Sequence, residues 1–215
     1  MSELNSSVEA LRSEFGDKIG ESYISCGDTI VFIDDKSSAL AVMQWLRDDP
    51  DQTYDYLIDV TAVEHRDASR PLEVVYFLFS LERKVQLCVK IALPKDGELA
   101  VDSVVPVWRG ADWLEREVYD MFGIEFRGHP DLRRILMWET YSEGYPLRKD
   151  FPVKGRFSRS DQLKQALHAA PEAHYSLDEL SLADSLGDIP EDMKQRLARG
   201  ERALVPGFEE PESDG

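Results

Sequence analysis

Cysteine is scarce in this chain: Cys26 and Cys88 are the only two among 215 residues. They lie far apart and form no CxxC, so this chain alone cannot supply the thiolate set of an iron–sulfur cluster or a zinc site. They read as two small thiols in a reducing compartment. Histidine is scarce as well, and His65, His129, His168 and His174 fall into no HxxxH or HExxH spacing, so no metal site is expected. No apolar run approaches the ~20 residues of a membrane span. Residues 1–17 lack the basic-then-apolar order of an export signal. The expectation is a soluble chain on the cytoplasmic side, whose membrane association is indirect, through a partner. Positive charge is in deficit, with 25 basic against 42 acidic side chains, a net charge of −17 and a sequence pI of about 4.6. Such a surface repels phosphate backbones and anionic head groups, which excludes nucleic acid as a partner. Glycine-rich phosphate loops and internal repeats are also missing, so no nucleotide site is expected.

What is present suits one domain of ordinary size with an appendage. Val8, Leu11, Phe15 and Ile19 recur at helical spacing until Gly16 and Gly20 break the run. Residues 22–25 and 29–33 flank Cys26-Gly27-Asp28, the composition of a hairpin turn. Ser37 or Ser38 is placed to cap a second helix over residues 39–47, with Leu40, Met43 and Leu46 inward and Pro50 just past its end. Three strands follow, over residues 54–63, 72–80 and 84–93. The last alternates, with Val85, Leu87, Val89 and Ile91 on one face. The middle one, LEVVYFLFS, is apolar on both faces and is expected inside the sheet. The fold class is therefore α+β: a mixed, mostly antiparallel sheet covered by helices, with an extended C-terminal arm. The division expected is an α+β domain over 1–108, a dense helix and loop segment packed on it over 109–154, and the arm over 155–215. Prolines 171, 190, 206 and 211 interrupt that arm, and anchors such as Phe157, Leu163, Leu167, Tyr175, Leu177, Leu180, Leu204 and Phe208 fit a segment that orders on a partner.

The dense segment carries the chemistry. Asp112 reads as an N-cap with Glu115 completing a capping box and Gly123 as a left-handed terminator, which specifies a helix over residues 113–122. Leu114, Val118, Met121 and Phe122 form its apolar stripe, Arg116 and Asp120 an i, i+4 pair opposite, and Glu117 a half-buried edge in need of a cation. Residues 126–149 bring together Arg127, Arg133, Arg134, Arg148 and Lys149 against Asp131, Glu139 and Glu143, the one locally positive stretch of an acidic chain. Arginines among Phe126, Leu132, Ile135, Met137, Trp138, Tyr141, Tyr145 and Phe151 are the composition of an interface. They equally suit an intrachain ion-pair layer stapling the segment to the sheet. Glu115, Glu117 and His129 are the ingredients of a general acid/base site, but no serine or cysteine nucleophile sits in a motif beside them, and an imidazole before Pro130 commonly bonds nearby backbone.

Three words in this order, EREVYDMFGI, GHPDLRRIL and EGYPLRKDFP, resemble the C-subunit family of the proton-translocating NADH:quinone oxidoreductase, respiratory complex I. The likeness is dense over residues 109–152 and weak beyond Pro152. It implies a peripheral-arm scaffold without a redox centre or catalytic residue of its own, on the cytoplasmic face of the cell inner membrane. It also implies NADH, FMN, iron–sulfur clusters and quinone held by neighbouring subunits, and the D (quinone-pocket) subunit as a particular partner. Under that resemblance Glu115, Arg116, Glu117, Asp120, His129, Asp131, Arg133, Arg134, Arg148, Lys149 and Asp150 are candidates for partner-interface or structural ion-pair roles. The equivalent subunit of a photosynthetic-type NDH complex or a membrane-bound hydrogenase carries the same words. A freestanding cytosolic hydrolase is the reading of a different class, with Glu117 and His129 as its groups.

Overall fold

The alternating and doubly apolar segments assemble into one five-stranded sheet in a computed structural model. The structure describes residues 2–65, 70–94, 97–138, 140–153, 155–157 and 161–162. In chain order, α1 (Ser2–Phe15) precedes the hairpin β1 (Ile19–Ser25) and β2 (Asp28–Ile33), then α2 (Ala39–Asp48), β3 (Tyr56–Glu64), β4 (Leu72–Ser80) and β5 (Val85–Leu93). Sheet order is β1-β2-β5-β4-β3, with β2 and β5 parallel and the other three pairings antiparallel. The expected turn at Cys26-Gly27 is present, both residues taking positive φ (54° and 97°) as a tight two-residue connection requires. The β4 strand lies inside the sheet between β5 and β3, as its two apolar faces demand.

One face of the sheet carries the core. Val8 and Leu11 of α1 and Val42, Met43 and Leu46 of α2 pack with Val31, Ile33, Val74, Tyr76, Leu78, Leu87, Val89 and Ile91. The capping expected of Ser37 or Ser38 is transferred one step back. Both hydroxyls donate to the Asp35 carboxylate, which also accepts from the Ser37 amide and is held below the usual carboxylate range by these bonds. Two short strands too brief to show alternation, β6 (Ala100–Asp102) and β7 (Glu125–Arg127), pair in parallel on either side of α3 (Ala111–Phe122).

Two compact units divide the chain. The first, residues 1–137 with 144–152, contains all the strands and helices named above. The second comprises residues 138–143 with 153–215. In it, Trp138 and Tyr141 meet edge to face at 4.9 Å, and buried Glu143 accepts from the Arg156 and Phe157 amides at 2.6 and 3.2 Å. The arm expected after residue 155 lies outside the described residues except for 155–157 and 161–162.

Candidate functional site

The site is built around α3. This helix begins at Ala111, with Gly110 preceding it and no side-chain cap, so the expected Asp112/Glu115 capping box is not formed. Because the helix starts two residues earlier than expected, Asp112 lies inside its first turn and Glu115 turns into the protein. Glu115 has no exposed surface and accepts from the Ser103 hydroxyl at 2.6 Å and the Val104 amide at 2.7 Å. Its carboxyl tethers the loop after β6 to the helix. Burial pushes Glu115 up to about 7, against the opposing pull of those two bonds, and the Asp112 charge adds to the rise.

Asp120 is the second fully buried acid of α3, and its partner is not Arg116 as the i, i+4 spacing suggested. One oxygen accepts from Arg134 Nη1 at 2.5 Å; the other accepts from three successive amides, Ile135, Leu136 and Met137, at 3.1, 2.8 and 2.8 Å. A run of backbone N–H groups on one carboxylate oxygen forms an anion nest, here filled by the chain's own side chain. Arg134 completes the joint with a bond to the Gly144 carbonyl at 3.1 Å and its guanidinium 5.3 Å from the Tyr145 ring. Arg116, itself buried, donates instead to the carbonyls of Arg133 and Arg134, both at 3.2 Å. The acid and the base both grip the 133–137 segment rather than each other.

The C-terminus of α3 is closed by the last sequence word. Gly123 takes φ 73°, and a Cβ there would come within 2.3 Å of the Tyr145 ring, so both conformation and space require glycine. The helix's terminal carbonyls are met in turn: Tyr119 by the Gly123 amide at 2.9 Å, Met121 by the Leu147 amide at 3.1 Å and Phe122 by Arg148 Nε at 2.6 Å. The Lys149 amide donates to Glu64 of β3 at 2.6 Å, tying the same word to the sheet edge. Lys149 and Asp150 are themselves exposed.

His129 has a fully buried ring. Its Nδ1 accepts from the Asp131 amide at 3.0 Å, which leaves Nε2 to carry the proton toward Asp112, 3.1 Å from its carbonyl and 3.3 Å from its carboxylate. Asp131 and Arg133 pair at 2.8 Å in solvent, and that pairing holds the Asp131 carboxyl below its ordinary range. Glu117 is exposed and, among the described residues, makes no ion pair, contrary to the half-buried edge expected of it. Glu115, Glu117 and His129 therefore share no hydrogen bond. Among the described residues, no three His, Cys, Asp or Glu side chains are grouped to hold a metal ion. Around this joint Trp113, Leu136 and Leu147 stand exposed (66%, 60% and 53%), with Arg116 5.7 Å from the Trp113 ring. Ser103 and Glu64 complete the joint without being singled out in the sequence; each lies outside the three words, and no local pattern marks it.

Similarity to known proteins follows the same segment. Residues 33–157 match the family described as "Respiratory-chain NADH dehydrogenase, 30 Kd subunit". The C subunit of the NADH-quinone oxidoreductase of Citrifermentans bemidjiense is 40% identical over 155 residues, covering 72% of this chain and 93% of that one. Its counterpart in Brucella ovis is 39% identical over 160 residues, 74% of this chain and 77% of its own, and the second such C subunit of Rhizobium meliloti is 46% identical over 112 residues, 52% and 60% respectively. In structure the chain is similar to a trypsin-resistant fragment (1–134) of Nqo5, with TM-score 0.50 and 27% identity over 60% of this chain and 98% of that fragment. The buried acids of α3, the self-filled nest and the closing EGYPLRKDFP word thus stand in a chain that belongs to the C-subunit, or 30-kDa subunit, family of respiratory-chain NADH:quinone oxidoreductase.

Proposed function

We propose that this chain is a scaffold of the peripheral arm of NADH:quinone oxidoreductase, with no catalytic residue and no cofactor of its own. NADH, FMN and iron–sulfur clusters are held by neighbouring subunits, which pass electrons to a quinone in a reaction coupled to proton translocation. The observation that carries the reading is how the charged side chains of the signature words are used. Asp120, Arg134, Arg116, Arg148 and Glu115 all hold the chain to itself, which leaves none of them directed at a substrate. What remains outward in and beside these words is Trp113, Leu136 and Leu147, the cations Arg133 and Lys149, and the acids Glu117, Asp131 and Asp150, an apolar patch among charges of both signs that suits docking on a protein surface. The D subunit is the partner that this surface is proposed to meet, and through it the chain sits peripherally at the cytoplasmic face of the inner membrane. Among the described residues no helix is long and apolar enough to cross a membrane, which suits such an attachment.

The reading is tested on the purified full-length chain. It is expected to be colourless, free of stoichiometric iron or zinc by elemental analysis, and inert toward NADH with a quinone or an artificial acceptor. Stoichiometric metal, or NADH oxidation by the chain alone, overturns the scaffold assignment.

A further inference from the structure

The interior at the start of α3 contains a carboxyl that its surroundings do not neutralise. Glu115 is fully buried and has two partners, the Ser103 hydroxyl and the Val104 amide, both in the loop that leads from β6 to the helix. The titratable groups that act on it are an acid and a phenol: Asp112 on α3, and Tyr76 on β4, whose buried hydroxyl has no hydrogen-bond partner among the described residues and feels both Glu115 and Asp102 at the end of β6. The strand β3, which also packs on α3, carries Tyr56, Asp59 and Glu64 and no cation. The nearby basic groups are engaged elsewhere: Arg127 of β7 with Glu98 at 2.6 Å and Asp102 at 4.0 Å, Arg47 of α2 with Asp48 and the Val107 carbonyl, and His129 with Asp112. No cation among the described residues pairs with Glu115.

The hydrogen bonds suit either protonation state. Ionised, the carboxylate accepts from both partners; neutral, Oε1 still accepts from the Val104 amide while Oε2–H donates to Ser103 Oγ. Solvation therefore decides, and an uncompensated buried charge costs far more than a neutral acid. We infer that Glu115 is a proton-holding latch: neutral, it fastens the 103–110 loop to α3, and on losing its proton beside Asp112 and the Tyr76 phenol it loosens that loop. The site takes one proton, and burial places its titration at about 7.

Two measurements on the full-length chain test this. Infrared titration in heavy water should show a protonated carboxyl C=O band persisting at pH 6, where solvent-exposed acids are ionised, and vanishing with a midpoint near neutrality. Exchange of the 103–110 amides, corrected for intrinsic rates, should quicken about tenfold from pH 6 to pH 8 in the natural chain and stay flat in Glu115→Gln. If Glu115→Gln does not fold, the infrared titration of the natural chain decides alone. Absence of the band at pH 6, or the same acceleration in a folded Glu115→Gln, overturns the latch.

Discussion

Replacing Asp120 by alanine removes the acceptor of four donors at once: the Arg134 guanidinium and the amides of Ile135, Leu136 and Met137. Asp120 has no exposed surface and the Arg134 side chain is 15% exposed, so the guanidinium left behind is poorly placed to regain water. Breaking a buried pair on one side costs about 3–5 kcal/mol. The three amides add to that only in part, because Leu136 is exposed and its N–H can be rehydrated. We expect a loss of about 4 kcal/mol, a large share of the roughly 5–15 kcal/mol that holds a domain. With a urea dependence of about 2 kcal/mol per molar, the unfolding midpoint falls by about 2 M. Asp120→Asn keeps one oxygen for the nest and loses the charge, so its midpoint should lie between. Glu117→Ala, one helical turn away and exposed, should stay within about 0.5 kcal/mol. The assay is urea unfolding followed by circular dichroism, with an Asp120→Ala, Arg134→Met cycle to isolate the pair. If Asp120→Ala unfolds at the same urea concentration as Glu117→Ala, the nest contributes nothing and the account of the signature helix is wrong.

Three further outcomes are expected. The Glu115 carboxyl is raised from 4.5 to about 7 in the folded chain, so its share of stability is complete below about pH 4.5 and is lost as pH rises toward 7. That share is about 3 kcal/mol, and should appear as a natural-minus-Glu115→Gln difference in urea midpoint that shrinks between about pH 4.5 and pH 7. Gly123→Ala forces a Cβ into the Tyr145 ring at a left-handed position and should cost upwards of about 2 kcal/mol; calorimetry reads it as a fall in Tm. Arg133→Ala, altering an exposed pair, should leave the unfolding free energy within about 0.5 kcal/mol yet lower the amount of assembled complex in native gels, whereas Arg134→Ala should lower both. Normal assembly with a folded Arg133→Ala chain would remove that arginine from the interface.

Legibility in the sequence followed the range of the interactions. The alternation of Val85, Leu87, Val89 and Ile91, the double apolar character of residues 72–80, the Cys26-Gly27 turn and the Gly123 terminator are local statements, and the structure places each where the pattern put it. The spacing of Asp112-x-x-Glu115 is that of a capping box, and this local pattern hides what Glu115 does. The helix starts ahead of it, and the real partner, Ser103, lies twelve residues back with nothing to announce it. The spacing of Arg116 and Asp120 conceals the real partners for a similar reason: i, i+4 geometry is visible in one dimension, while three backbone amides at 135–137 carry no side-chain identity to read. The β6–β7 pairing escaped because three-residue strands show no period. Family membership was nonetheless legible, since the words that carry it are the residues that fix this joint.

The chain is proposed to work as one subunit of an NADH:quinone oxidoreductase. The most direct test is recovery of the tagged chain from mild-detergent membrane extracts, with quantitative mass spectrometry of what accompanies it. Cluster-bearing subunits and the D subunit should be recovered in equimolar amounts, together with NADH:quinone activity. Recovery of the chain alone, or with subunits of a complex that uses another electron donor, would contradict the account.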